Sequence, residues 1–305
     1  MKKFEVTILG CGSALPTLKR NQTSQIVNVR EKLFMIDCGE GTQLQFRKAR
    51  LKFTKLQRIF ISHLHGDHCF GLMGLISTFG LLGRTADLHI HSPKGLEQML
   101  KPMLNHFCAN LAYKLYFHEF NTKSPELIHE DRSVTITTIP LIHRIPCVGF
   151  LFKEKPGLNS IIREQIDKYE VPIYEMNRLK AGFDFVQADG TIIPNDVLTN
   201  PAKPPRTYAY CSDTLYHPNL VNQLKGVNLL FHEATFANSE KRRAKQTYHS
   251  TAQEAAAIAS ESEVNQLIIG HFSARYPNEQ ILLDEATKVF ENTKVATELE
   301  TYSVV

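Results

Sequence analysis

Short apolar runs separated by polar turns set the rhythm of this chain. "FEVTILG" (Phe4 to Gly10), "SQIVNV" (Ser24 to Val29) and "KLFMID" (Lys32 to Asp37) alternate or are rich in β-branched residues, which predicts strands. "TQLQFRKA", opened by Gly41-Thr42, reads as a helix, "RIFIS" (Arg58 to Ser62) as a buried strand, and an apolar helix is expected from Gly71 to about Leu82. Further strands are expected at "DLHIHS", "KLYFHEF", "SVTITTIP" and "VGFLF", then at "TYAYCSD", "NLLFHEA" and "QLIIGHF". These strands exceed what one small sheet holds, and helical patterns fall between many of them. An α/β protein with two sheets packed face to face and helices outside follows.

One segment breaks the rhythm. Between Lys153 and Arg206 there is little strand periodicity, and Pro156, Pro172, Pro194, Pro201, Pro204 and Pro205 interrupt the chain around a polar, helix-like "SIIREQIDKYE". So long a connection inside a compact domain is usually functional or a protruding insertion. Residues 153–206 therefore read as an arm inserted into a single catalytic domain spanning 1–305.

Composition narrows the setting. With 305 residues and 43% hydrophobic content, the chain can bury a full core. "MKKFEVTILGCG" does not resemble a signal peptide and no segment nears the ~20 apolar residues of a membrane helix, so a cytoplasmic protein without membrane attachment is expected. Cys11, Cys38, Cys69, Cys108, Cys147 and Cys211 occur singly, which predicts buried thiols rather than disulfides or a thiolate metal site. The net charge of +4 is too small to name nucleic acid as a partner by itself.

Candidate chemistry concentrates in "SHLHGDH" (Ser62 to His68). His63 and His65 are two apart, so an extended chain aims both rings to one side. Gly66 permits a sharp turn, and Asp67 and His68 come round at the start of the next helix. Neutral imidazole and carboxylate are the donors that zinc and related divalent ions prefer. Other polar residues close apolar strands in the same way: His143 after "VTITTIPLI", Asp213 after "TYAYCS" and His271 after "LIIG". They complete two sets, His63, His65 and His143 for one ion and Asp67, His68 and His271 for the other, with Asp213 bridging. Two ions ~3.5–4 Å apart share a water, lower its pKa and stabilise both the attacking and the leaving oxygen of a phosphoryl displacement. His89, His91, His106, His118, His129 and His217 have no comparable context and predict no role.

The H-x-H-x-D-H run with its downstream His, Asp and His resembles the metallo-β-lactamase superfamily, which implies a four-layer αββα sandwich with a dinuclear metal site between the sheet edges. Lactamases, glyoxalase II enzymes, sulfatases and nucleases share that scaffold. "LGCGSALPTLKRNQTS" (Leu9 to Ser24), "FMIDCGEGTQLQF" (Phe34 to Phe46), "ISHLHGDHCFGLMGL" (Ile61 to Leu75), "HEATF" (His232 to Phe236), "YHST" (Tyr248 to Thr251) and "HFSARY" (His271 to Tyr276) resemble, more specifically, the ribonuclease Z family of tRNA 3′-processing endonucleases. The resemblance runs from the first strand to the C-terminal helix.

That resemblance implies removal of the 3′ trailer from precursor tRNA, leaving a 3′-hydroxyl on the tRNA and a 5′-phosphate on the trailer. It implies two zinc ions per subunit, although the same donors also take manganese or iron. Asp67 is then both ligand and proton acceptor, while Glu233 and His249 supply an orienting carboxylate and a proton-donating imidazole. Ser273 and Arg275 are expected to grip a phosphate or the RNA 3′ end. The basic run "KRRAK", with Lys241, Arg242 and Arg243, reads as a loop between the catalytic motifs that holds the tRNA backbone. The family further implies a homodimer in which the arm of one subunit clamps the tRNA cut by the other. Where such arms often carry a Gly/Pro-rich tip, this one reads "YEVPIYEMNRLKAG", with Pro172, Arg178 and Lys180 but no Gly-Pro pair. Two other readings compete. A small-molecule ester or thioester hydrolase needs neither arm nor "KRRAK", and a degenerate RNA-binding member is expected to have lost ligands that are all present here.

Overall fold

The computed structural model describes residues 3–305. They form two compact units, the chain up to Lys153 together with Arg206–Val305, and Glu154–Pro205.

In the larger unit, alternation sorts side chains into two cores. Phe4, Val6, Ile8, Val27, Val29, Phe34 and Ile36 share a core with Val148, Phe150, Phe152, Tyr208 and Tyr210. Their neighbours Leu9, Ile26, Leu33 and Met35 point the other way and pack with Phe46, Leu72, Ile76 and Leu100. Those four belong to the helices Thr42–Lys48, Leu72–Leu81 and Leu96–Phe107. Burying one such side chain stabilises by roughly 1.5–3 kcal/mol. A one-residue slip would exchange the two faces, so the register is strongly specified.

The first sheet runs in space through Thr301–Ser303, Phe4–Gly10, Ser24–Val29, Lys32–Ile36, Leu56–Phe60, Leu88–Ser92 and Leu115–Glu119. The second runs through Thr293–Val295, Gln266–Gly270, Leu229–Glu233, Thr207–Cys211, Cys147–Glu154, Val134–Leu141 and Leu127–Glu130. The small-residue helix Ala252–Glu261 lies on this second sheet, against Leu229–Glu233 and Gln266–Gly270. The order of layers is therefore αββα.

Parallel strands make up one half of each sheet, from its middle strand to one edge. In the second, Thr207–Cys211, Leu229–Glu233 and Gln266–Gly270 are parallel, with Cys211 beside His232 and Glu233 beside Gly270. In the first, Lys32–Ile36, Leu56–Phe60 and Leu88–Ser92 are parallel. Parallel strands finish at one edge, and ligand sites in open α/β sheets collect outside those carboxyl ends.

Several expectations shift. The strand containing "RIFIS" spans Leu56–Phe60, so Ile61 and Ser62 already belong to the following loop. The half-exposed edge strands Leu127–Glu130 and Thr301–Ser303 have no continuous inward face and give no clear period. "KRRAK" is not a loop: it opens the helix Lys241–Thr247, which Tyr248 ends with a left-handed φ of 61°.

The smaller unit has its own core of Ile166, Val171, Leu179, Phe185, Ile193 and Leu198. It holds the helices Arg163–Lys168, Met176–Lys180 and Asn195–Leu198, and two-residue strands pairing Ser160–Ile161 with Thr199–Asn200 and Phe185–Val186 with Ile192–Ile193. Strands this short cannot display a period. Of "SIIREQIDKYE", only Arg163–Lys168 is helical.

Candidate metal centre

Beyond Phe60 the chain carries His63 and His65 through a loop, and His65, in extended conformation, precedes the single helical turn Gly66–Cys69 that brings Asp67 and His68 round. His143, Asp213 and His271 follow strands of the second sheet. The side chains meet between the sheet edges. His65 Nδ1 lies 3.0 Å from His63 Nε2 and 3.2 Å from His143 Nε2. Asp213 Oδ2 is 3.6 Å from His63 Nε2 and 3.8 Å from His143 Nε2. Its other oxygen, Oδ1, is 3.4 Å from His68 Nε2 and 3.2 Å from His271 Nε2. Asp67 Oδ2 stands 3.3 and 3.5 Å from those same nitrogens.

Two donor quartets result, with one Asp213 oxygen in each. A tetrahedral ion with bonds of ~2.0–2.2 Å requires donors ~3.3–3.6 Å apart, close to the spacing found. The Nε2 atoms of His68 and His271 are buried and make no hydrogen bond. A buried polar atom left without a partner costs roughly 1–3 kcal/mol, and these two face carboxylate oxygens, so the residues fit a divalent cation.

Electrostatics agree. Burial pushes His63, His65 and His143 down, toward the neutral imidazole that a metal needs. Burial also opposes charge on His68, but Asp67, Asp213 and Asp37 outweigh it and drive its pKa well up. The carboxylates of the second quartet thus favour positive charge beside them.

Four of the five ligand imidazoles are braced from behind, the arrangement that fixes tautomer and ring orientation in metal sites. His63 Nδ1 lies 3.0 Å from Ser62 Oγ, His68 Nδ1 2.8 Å from Asp37 Oδ2, His143 Nδ1 2.9 Å from the Tyr248 carbonyl and His271 Nδ1 2.9 Å from Thr235 Oγ1. Asp37 also accepts from Ser62 N, Ser62 Oγ and Tyr210 OH at 2.7, 2.8 and 2.7 Å. Asp37 and His271 adopt left-handed backbone, φ 54° and 61°, uncommon for residues other than glycine. Sequence reasoning missed Asp37 and Thr235. The available signal was that Asp37 is the charged residue closing "KLFMI", just as Asp213 closes its own strand.

Glu233 is fully buried, with Oε1 2.9 Å from His249 Nδ1. The same oxygen accepts from Thr214 N and Ser250 N, and Oε2 accepts from Thr235 N and Oγ1. Glu233, His249 and His271 form a third convergence, but the lone pairs of Glu233 are already occupied by these donors. Glu233 does not cap the helix after it: Thr251 does so, in a capping box with Glu254. Burial opposes charge on His249, yet the Glu233 carboxylate outweighs it and lifts its pKa to about 9.

A cleft of about 980 Å³ opens over these groups, and Arg243, Ser273 and Arg275 line it. Arg275 is tied to Ser273 Oγ at 3.1 Å and Glu240 Oε2 at 3.2 Å. Lys241 pairs with Glu254 at 3.1 Å, and neither Lys241 nor Arg242 is among the lining residues. His89 and His91 each stack on His118 and belong to neither ligand quartet.

The family model for anti-Pycsar protein Apyc1 matches residues 4–170. Ribonuclease Z of Bacteroides thetaiotaomicron is 65% identical over 298 residues, 98% of this chain and 94% of that one. Among solved structures, human tRNase Z, short form, is similar with a TM-score of 0.71 at 24% identity, over 99% of each chain. The metallo-β-lactamase fold protein YhfI of Bacillus subtilis gives 0.70 at 17% identity, over 98% of this chain and 99% of its own. These last two likenesses carry the fold. The chain belongs both to the family that the Apyc1 model describes and, over nearly all of its length, to the ribonuclease Z family of metal-dependent endoribonucleases with the metallo-β-lactamase fold.

Proposed function

We propose that this member of the ribonuclease Z family removes the 3′ trailer from precursor tRNA with two zinc ions per subunit, leaving a 3′-hydroxyl on the tRNA and a 5′-phosphate on the trailer, and works as a cytoplasmic homodimer. The observation that carries the reading is the pair of quartets joined through the two oxygens of Asp213. His63, His65, His143 and Asp213 would hold one ion; Asp67, His68, His271 and Asp213 would hold the other. When bound, such a pair lowers the pKa of a water and neutralises charge that develops on the phosphate.

The protein's own groups supply the rest. Asp67 turns Oδ2 to His68 and His271 and lines the cleft, which leaves its second oxygen to take the water's proton. His249, stacked on His271 and lining the same cleft, is protonated and steered by Glu233 and gives a proton to the departing 3′-oxygen. Arg243, Arg275 and Ser273 receive backbone phosphates, with Lys241 and Arg242 contributing charge from the same helix. A guanidinium-lined wall suits a polyanion and is superfluous for a small ester. The arm is proposed to grip tRNA away from the cut, in trans across the dimer.

Incubating metal-loaded protein with a 3′-extended tRNA precursor and mapping both product ends tests the activity. Asp67→Ala is expected to lower cleavage by several orders of magnitude while tRNA binding persists. Near-normal turnover in that variant would refute the role given to Asp67.

A further inference from the structure

Phe70 is 73% exposed, although it ends the same helical turn that presents Asp67 and His68. Its amide donates to the Gly66 carbonyl at 2.8 Å, and its ring folds back over Gly66. A Cβ added at Gly66 would stand 2.3, 2.6 and 2.7 Å from three carbons of that ring. Glycine at this position therefore does more than permit a turn: it lets an aromatic ring lie against the backbone of the ligand loop. The ring is braced on that side and open on the other, where it lines the cleft.

The rest of the mouth is divided in character. Leu15, 67% exposed, and Pro16 line the cleft with Phe70, while Arg144, Arg243 and Arg275 line it too. An apolar lip with a flat aromatic face and a cationic wall thus share one cleft above the ligands. Polynucleotides present this same alternation, since phosphates bind guanidinium groups and bases stack on aromatic rings.

We infer that Phe70 is a stacking platform for a nucleobase flanking the scissile phosphate, and that this stack sets affinity for the RNA immediately beside the cut. The inference rests on the tRNA-cleavage reading above. Stacking of one base on one aromatic side chain changes affinity by about 5- to 150-fold.

The test compares holoenzymes of wild type, Phe70→Ala, Phe70→Leu and Phe70→Trp on 3′-extended tRNA precursors. Each precursor carries either normal bases or one abasic nucleotide on one side of the cleavage site. Phe70→Ala is expected to raise KM about 5- to 150-fold. An abasic nucleotide at one of the two flanking positions should cost wild type and Phe70→Trp a comparable factor in KM, and cost Phe70→Ala and Phe70→Leu little further. Leucine keeps an apolar cover over Gly66 without a flat face, so it separates stacking from packing. Equal abasic penalties in wild type and Phe70→Ala at both positions, or a wild-type KM for Phe70→Leu, would overturn the inference while the cleavage reading stands. If wild-type holoenzyme cuts none of the precursors, the tRNA reading fails and the inference falls with it.

Discussion

Replacing Asp37 by asparagine changes one atom and no volume, yet it should weaken metal binding selectively. Asp37 Oδ1 accepts from the Ser62 amide, and Oδ2 accepts from Ser62 Oγ, Tyr210 OH and His68 Nδ1. In Asp37→Asn one of these oxygens becomes an NH2. If it stands where Oδ2 was, the two hydroxyls can rotate and accept, but the His68 N–H faces a donor. The imidazole can escape only by moving its proton to Nε2, the atom aimed at Asp67 and Asp213. If the amide flips instead, the Ser62 backbone N–H faces the donor and cannot rotate away. Either choice leaves one buried donor unsatisfied, roughly 1–3 kcal/mol, or about 5- to 150-fold in an equilibrium constant. Metal-site braces of this type typically contribute 10- to 100-fold in affinity. Calorimetric titration of zinc into metal-free protein should show the ion of the His68 quartet weakened by about 10- to 100-fold and the ion of the His63 quartet weakened less, since Asp37 reaches His63 only through Ser62 Oγ. Cleavage should be lost at limiting zinc and recover when zinc is raised. Two wild-type affinities would refute the reasoning and leave Asp37 as a brace of the fold alone.

Other outcomes follow from the same geometry. His249→Asn and Glu233→Gln should each lower single-turnover cleavage by about 10²- to 10⁴-fold with tRNA affinity nearly kept; a loss confined to KM would remove the proton-donor role. Arg243→Ala should weaken binding of every tRNA precursor alike and reduce the slope of log affinity against log salt by about 1, and an unchanged slope would place Arg243 outside the phosphate track. Because Lys153 and Thr207 are opposed residues of antiparallel strands, residues 154–206 can be replaced by an Asn-Gly hairpin turn. That variant should lose affinity for precursor tRNA and keep hydrolysis of a small phosphodiester, whereas equal loss of both would sink the exosite role. Stripping metal with a chelator should lower the melting temperature as well as activity, since bound ions stabilise only the folded state; a melting temperature indifferent to zinc would contradict the assignment of the quartets.

Much of this was legible in the one-dimensional pattern, for physical reasons. Strands buried on both faces announce themselves as apolar runs, and a charged or imidazole residue closing such a run is conspicuous, which is how His143, Asp213 and His271 stand out. Asp37 closes its run in the same way, but its task is to hold His68 from behind across thirty-one positions of sequence, and no spacing records that. Thr235 and the Tyr248 carbonyl are likewise defined only by what folds against them. "KRRAK" was mistaken for a loop because polar solvent-facing helices lack the apolar stripe that marks their kind. Phe70 sits inside the most conspicuous motif of the chain, yet only the fold reveals that its ring is turned outward.

The two quartets also draw their donors from far-separated stretches, with His271 the last to be made. Domains emerge from the ribosome N-terminus first, so "SHLHGDH" is synthesised long before Asp213, Glu233, His249 and His271. Neither quartet nor the Glu233–His249 pair exists on a chain halted before those residues appear. A nuclease directed at tRNA is thereby built in a setting crowded with tRNA without being able to cut it, because competence arrives only when both halves of the sandwich have closed on each other.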